Sequence, residues 1–173
     1  MVLTIILALI YGLVWSLFWI VYVYIIVKFF PWGMLHDYPK DIQAAATIKE
    51  PTAGQQRTSK LFTGVGGILI ICAPILWGIV QFSQERTTFL ILLGFIFIIV
   101  MMWNLIDLLI MDWLIVCTIT PKWVVIEGTD GCKGYKDYLF HFKGFLIGCV
   151  YSTIAAVAFS TIDYLVLKFL IWT

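Results

Sequence analysis

Charge is scarce in this sequence. Asp, Glu, Lys and Arg make up 12% of its 173 residues, where a soluble domain carries about a quarter. So few charges cannot wet the surface of a globular fold of this size, and lipid is the expected solvent for most of the chain. A formal net charge of +1 also removes the electrostatic footprint of a nucleic-acid-binding protein. Paired C-x-x-C spacing is missing: Cys72, Cys117, Cys132 and Cys149 stand apart, which argues against a zinc ribbon or a dithiol redox motif, and all four are expected to be reduced. The apolar start, Val2 to Val27, has no basic segment before it and no small-x-small cleavage site. It is read as a membrane span rather than a secretion signal. Neither G-x-S-x-G, H-E-x-x-H nor a Walker loop occurs, so no reaction is named by a motif, no metal is assigned, and the cofactor is left unknown.

What the sequence has in abundance is apolar length. Hydrophobic residues account for 62% and the mean hydropathy is +1.02. Four runs, about 2–30, 61–82, 88–119 and 144–172, exceed the ~20 residues that cross a hydrocarbon core. Backbone groups in lipid must be satisfied within the segment, and no alternating barrel pattern is present, so the runs are expected to be helices. The expected fold is an all-α integral membrane protein, a four-helix transmembrane bundle forming a single polytopic domain over 1–173.

Two longer connections join the spans. Within 31–60, Pro39 to Glu50 reads as a short helix and Pro51 to Lys60, rich in Gly, Gln, Thr and Ser, as a flexible tether. Within 120–143, Trp123-Val124-Val125-Ile126 is β-prone, Gly128-Thr129-Asp130-Gly131 has turn chemistry, and Tyr135 to Phe142 starts a helix. Nine of the eleven basic residues, Lys28, Lys40, Lys49, Arg57, Lys60, Lys122, Lys133, Lys136 and Lys143, lie on this side, and only Arg86 and Lys168 on the other. The positive-inside rule then predicts cytoplasmic loops and an N-out/C-out topology in a plasma or bacterial inner membrane.

The last span carries Gly144, Gly148 and Ser152 at helical spacing, a small-residue face that suits close approach of another helix and offers a route to a homo-oligomer. In the first span Tyr11, Trp15, Trp19 and Tyr22 form an aromatic ridge along one face, suited to packing or to lining a groove.

The third span holds Asn104, Asp107 and Asp112 within an arc of roughly 140° on one face. A carboxylate pointing at lipid costs roughly 2.5 to 3.5 kcal/mol at the helix centre, so this face must look inward or into water. Counted from Thr88, Asp107 lies ~28 Å along the helix, near the inner edge of a ~30 Å core. His36 and Asp37 follow the first span and His141 precedes the fourth, all on the same side. Acids, an amide and imidazoles in one place suit general acid/base work. The expectation is a cytoplasm-facing pocket with Asp107, His141 and Asp112 in catalytic roles and Asn104, His36 and Asp37 binding a lipidic or amphiphilic molecule. A membrane-embedded enzyme or lipid-binding protein is favoured because the polar residues gather near one interface. A transporter or channel subunit working as an oligomer, or an assembly or regulatory subunit, is the alternative.

Overall fold

A computed structural model describes residues 2–173. Four helices in it are long and apolar enough to cross a membrane: α1 (Val2–Phe29), α4 (Ala53–Phe82), α5 (Phe89–Ile119) and α6 (Tyr138–Ile171). Between the first two lie the short helices α2 (Pro31–Met34) and α3 (Lys40–Ala45). Among the described residues there is no strand. The polarity of a soluble protein is inverted: Leu3, Leu17, Ile68, Leu90, Val150 and Ile154 are exposed, whereas Asn104, Ser152, Ser160 and Asp163 are buried. Lipid-facing surface explains the first set and helix packing the second.

α5 is central. Its Leu92, Phe95, Ile96 and Ile99 pack against Ala8 and Trp15 of α1 and Ala156 and Leu167 of α6. The aromatic ridge of α1 forms the seam with α4. Tyr11 stacks on Trp77 at 5.1 Å, and the Tyr22 hydroxyl donates to the Thr63 carbonyl at 2.9 Å. Trp15 Nε1 donates to the Ile70 carbonyl at 3.1 Å. That carbonyl is the one released by Pro74, which has no N–H to return to the residue four before it. The indole thus repairs the break that the proline makes in α4.

At one end of the helices, α4 turns into α5 over a few residues, and Thr88 caps α5 by accepting from the Ile91 N–H. Arg86 donates to the Trp172 carbonyl, and Trp172 Nε1 to that of Phe82 at 2.8 Å, which ties the end of α6 to this turn. The two long loops pack together at the opposite end around Tyr38, Ile42, Val124, Ile126 and Tyr135. The Asp41 carboxylate accepts from the Gly134 N–H at 2.8 Å, and the Thr47 N–H donates to the Glu127 carbonyl at 2.9 Å. Lys136 donates to the carbonyls of Cys117 and Thr118, at 2.6 and 3.2 Å. A cation there satisfies carbonyls left open at the end of α5.

Three local expectations are corrected. Pro51 to Lys60 is not a tether, because α4 begins at Ala53 under a capping box: Thr52 Oγ1 accepts from the Gln55 N–H and Gln55 Oε1 accepts from the Thr52 N–H. That reciprocal pair outweighs the poor helix propensity of Gly54, Thr58 and Ser59. The Trp123 to Ile126 segment is turn rather than strand, with its backbone folded on itself through Val124 N–H to the Pro121 carbonyl. The helix expected over Pro39 to Glu50 is shorter, ending at Ala45, whereas α6 begins at Tyr138, within the segment expected to lead into the last span, capped by Asp137 through the Phe140 N–H at 2.9 Å.

Candidate functional site

From Asp107 to Ile119 the backbone of α5 winds as a π-helix. The Thr120 N–H reaches the Ile115 carbonyl at 2.8 Å, and the Thr118 hydroxyl that of Trp113 at 2.7 Å. Wider turns of this kind are rare and concentrate at functional sites. Bonding five residues apart brings residue i+5 back over residue i, so Asp107 and Asp112 come nearer to alignment than the 100° step of an α-helix allows.

Beside this segment is a cavity of about 990 Å³ at the loop end, lined by all four long helices. Asn104, Asp107, Asp112, His36, Asp37 and His141 all border it. The side chains are held differently. Asp107 Oδ1 accepts from Trp19 Nε1 at 2.7 Å. His141 sits in the first turn of α6, where the Asp137 cap fixes the helix start, and its Nδ1 lies 2.9 Å from Asp112 Oδ1. The imidazole side chain is 10% exposed and its Nε2 has no hydrogen-bond partner among the described residues. Asp112 therefore orients the ring through Nδ1–H, leaving the other nitrogen to act on something else.

Asn104 has a structural part. Its amide donates to the Phe145 carbonyl at 3.2 Å and to Cys149 Sγ at 3.4 Å, clamping α5 to α6. Gly148 makes room for it, since a Cβ there would collide with the Asn104 side chain. Ser152 is buried on the same side. Gly148 and Ser152 are thus taken up within the chain, while Gly144 borders the cavity with nothing in van der Waals range of an added Cβ.

His36 and Asp37 stand at the mouth, 3.2 Å apart and with 76% and 51% of their side chains exposed. Burial pushes the Asp37 carboxyl above the usual range, His36 pulls it back, and the nearby Asp112 charge adds to the rise. Behind them the Tyr38 phenol is pushed up mainly by burial, with Tyr135 and the two acids contributing. Its hydroxyl donates to the Val124 carbonyl at 3.1 Å.

Three of the helix seams around the cavity are closed by named contacts: Tyr22 with Thr63, Trp19 with Asp107, and Asn104 with Phe145. The seam between α4 and α6 is different. These helices meet near the short turn, where Gly78 lies directly on the Asp163 side chain. Toward the loops they leave Gly67 and Gly144 without a neighbour, and Ile71 and Ile147 border the cavity while 52% and 58% exposed. The cavity thus opens sideways through an apolar rim. It ends blind toward the short turn, where Phe95, Ile96 and Ile99 are packed without exposed surface.

Sequence reasoning missed two residues here. Trp19 belongs to the ridge, but nothing in its spacing shows that its N–H meets Asp107. Trp103 lies one residue before Asn104, borders the cavity and carries a buried indole N–H without a partner; an aromatic in an apolar run gives no signal of that. Among the described residues no group of three or more His, Cys, Asp and Glu side chains is arranged to hold a metal ion. Comparison with protein-family models, with curated proteins and with solved structures finds no match.

Proposed function

We propose that this chain is a membrane-embedded enzyme that draws an amphiphilic molecule from one leaflet and acts on its polar head with the Asp112–His141 pair. The observation that carries this reading is the joining of a buried, oriented imidazole to a cavity whose side opening is apolar. A water-soluble substrate has no use for a rim of Ile71 and Ile147; a chain-bearing one does, because its tail remains in hydrocarbon while its head reaches the acids. His141 Nε2 is then the general base toward a hydroxyl or amine, and Asp112 fixes the tautomer and stabilises the imidazolium that forms. Asp107, held by Trp19, and Asp37 with His36 at the mouth position the head group. A blind end formed by packed apolar side chains favours this reading over passage across the membrane.

The nine-to-two distribution of basic residues supports cytoplasmic loops, outer termini and a cell membrane location, with the substrate taken from the cytoplasmic leaflet. Cysteine labelling in intact cells tests the orientation: a cysteine at Gln55 reacts with an impermeant reagent only after permeabilisation, and labelling from outside reverses the assignment. Lipid extracts test the chemistry. Cells carrying His141→Gln should accumulate one amphiphile relative to wild type, and indistinguishable extracts would count against an enzyme.

A further inference from the structure

The charge on the cavity wall narrows the head group. Three carboxylates, Asp37, Asp107 and Asp112, border the cavity against a single lysine, Lys143. Among the described residues Asp107 accepts one hydrogen bond, from Trp19, and Asp112 pairs with His141 alone. Each therefore keeps an oxygen with no protein donor. Partly buried carboxylates favour a counter-charge or further donors, and the protein supplies few. His141 Nε2, buried and unpartnered on the same wall, adds an acceptor rather than a donor. Three aromatic rings, Trp19, Tyr22 and Trp103, border the same cavity. Trp19 and Trp103 meet edge to face at 5.1 Å, and Tyr22 lies 5.8 Å from Trp19. Aromatic faces attract cations and repel anions.

We infer that the cavity takes an amphiphile with a protonated amine as its head group. The ammonium sits between Asp107 and Asp112 against the indoles, and the hydrocarbon tail leaves between Ile71 and Ile147. Three N–H donors on one compact cation match two half-used carboxylates and the free imidazole nitrogen. A phosphate or carboxylate head would instead face three like charges. This inference rests on the amphiphile reading of the cavity and adds the sign of the head group to it.

Three probes of one chain length separate the two statements. Dodecylamine, dodecanol and dodecyl phosphate are titrated into the full-length protein in phosphatidylcholine nanodiscs, with quenching of tryptophan fluorescence as the readout. Dodecylamine should bind at least about ten-fold more tightly than dodecanol, and dodecyl phosphate more weakly than either. Asp107→Asn and Asp112→Asn should each reduce the ratio of amine to alcohol affinity. The series on the wild-type protein is decisive by itself if either variant fails to fold. Equal or tighter binding of the alcohol or the phosphate would overturn the amine while leaving the amphiphile cavity standing. No saturable binding of any of the three, with Ile147→Trp indistinguishable from wild type, would overturn both.

Discussion

His141 Nδ1 lies 2.9 Å from Asp112 Oδ1, joining the first turn of α6 to the π-wound half of α5. The pair crosses between two helices that are also held by apolar packing, by the Asn104 clamp and by the contacts of Trp113 and Thr118 with Tyr138. If it serves as a base, His141→Gln and Asp112→Asn should each lower turnover by roughly 10²- to 10⁴-fold. Thermal stability in mild detergent should change little, because Asp112 is 26% exposed and solvent screens the interaction. Loss of the fold in step with loss of activity would make the pair structural instead.

Trp19→Phe removes the one donor that Asp107 has among the described residues. Unfolding in detergent should show a loss of about 1.5 to 3 kcal/mol, the range for hydrogen bonds to charged groups. Asp107→Asn should be milder for the fold, since an amide oxygen still accepts from the indole. A variant Trp19→Phe as stable as wild type would show that this bond is not maintained.

Glycines separate by what they face. A Cβ at Gly78 would strike the Asp163 side chain and one at Gly148 would strike Asn104, whereas Gly64 and Gly144 have open space. Gly78→Ala and Gly148→Ala should each destabilise by about 1 to 3 kcal/mol. Gly64→Ala and Gly144→Ala should be neutral or stabilising, because alanine favours helix by roughly 0.5 to 1 kcal/mol over glycine. Melting temperatures of the four variants decide the matter, and equal tolerance at all four would contradict the packing.

Asp37 gives a pH dependence with a defined sign. Its carboxyl titrates higher in the folded protein than in the unfolded chain, chiefly through burial, despite the opposing pull of His36. The folded state then binds the proton more tightly, so this group favours folding at low pH, and its contribution falls as pH rises from the ordinary carboxylate range through the raised folded value. Asp37→Asn should raise the melting temperature at neutral pH, with the gain vanishing below the ordinary carboxylate range. The effect should be small because half of the side chain is exposed. A gain that persists unchanged into acid would assign it to another cause.

The long helices were legible because lipid imposes one rule on a whole segment, and runs such as Phe89 to Ile106 contain little else. Their ends were less so. The start of α4 depends on a reciprocal bond between Thr52 and Gln55, which two side chains decide against the tendency of their neighbours. The polar face of α5 was visible through the cost of placing Asp107 in lipid. Its partners were not: Trp19 is 88 residues away in sequence, and the π winding that brings Asp107 and Asp112 into line depends on backbone bonds that side-chain periodicity does not encode. Gly148 read as a surface for another helix, and the helix it serves is α5, with Asn104 as the group that needs the space.

Whether an amphiphile enters between α4 and α6 is tested most directly by what the protein retains. Mass spectrometry of lipid extracted from wild-type protein, purified alongside Ile71→Trp and Ile147→Trp, should find one amphiphile enriched over the bulk membrane composition in the wild type and lost from both variants. Wild-type protein carrying only bulk lipid, or the same enrichment in all three, would contradict the side opening and the function built on it.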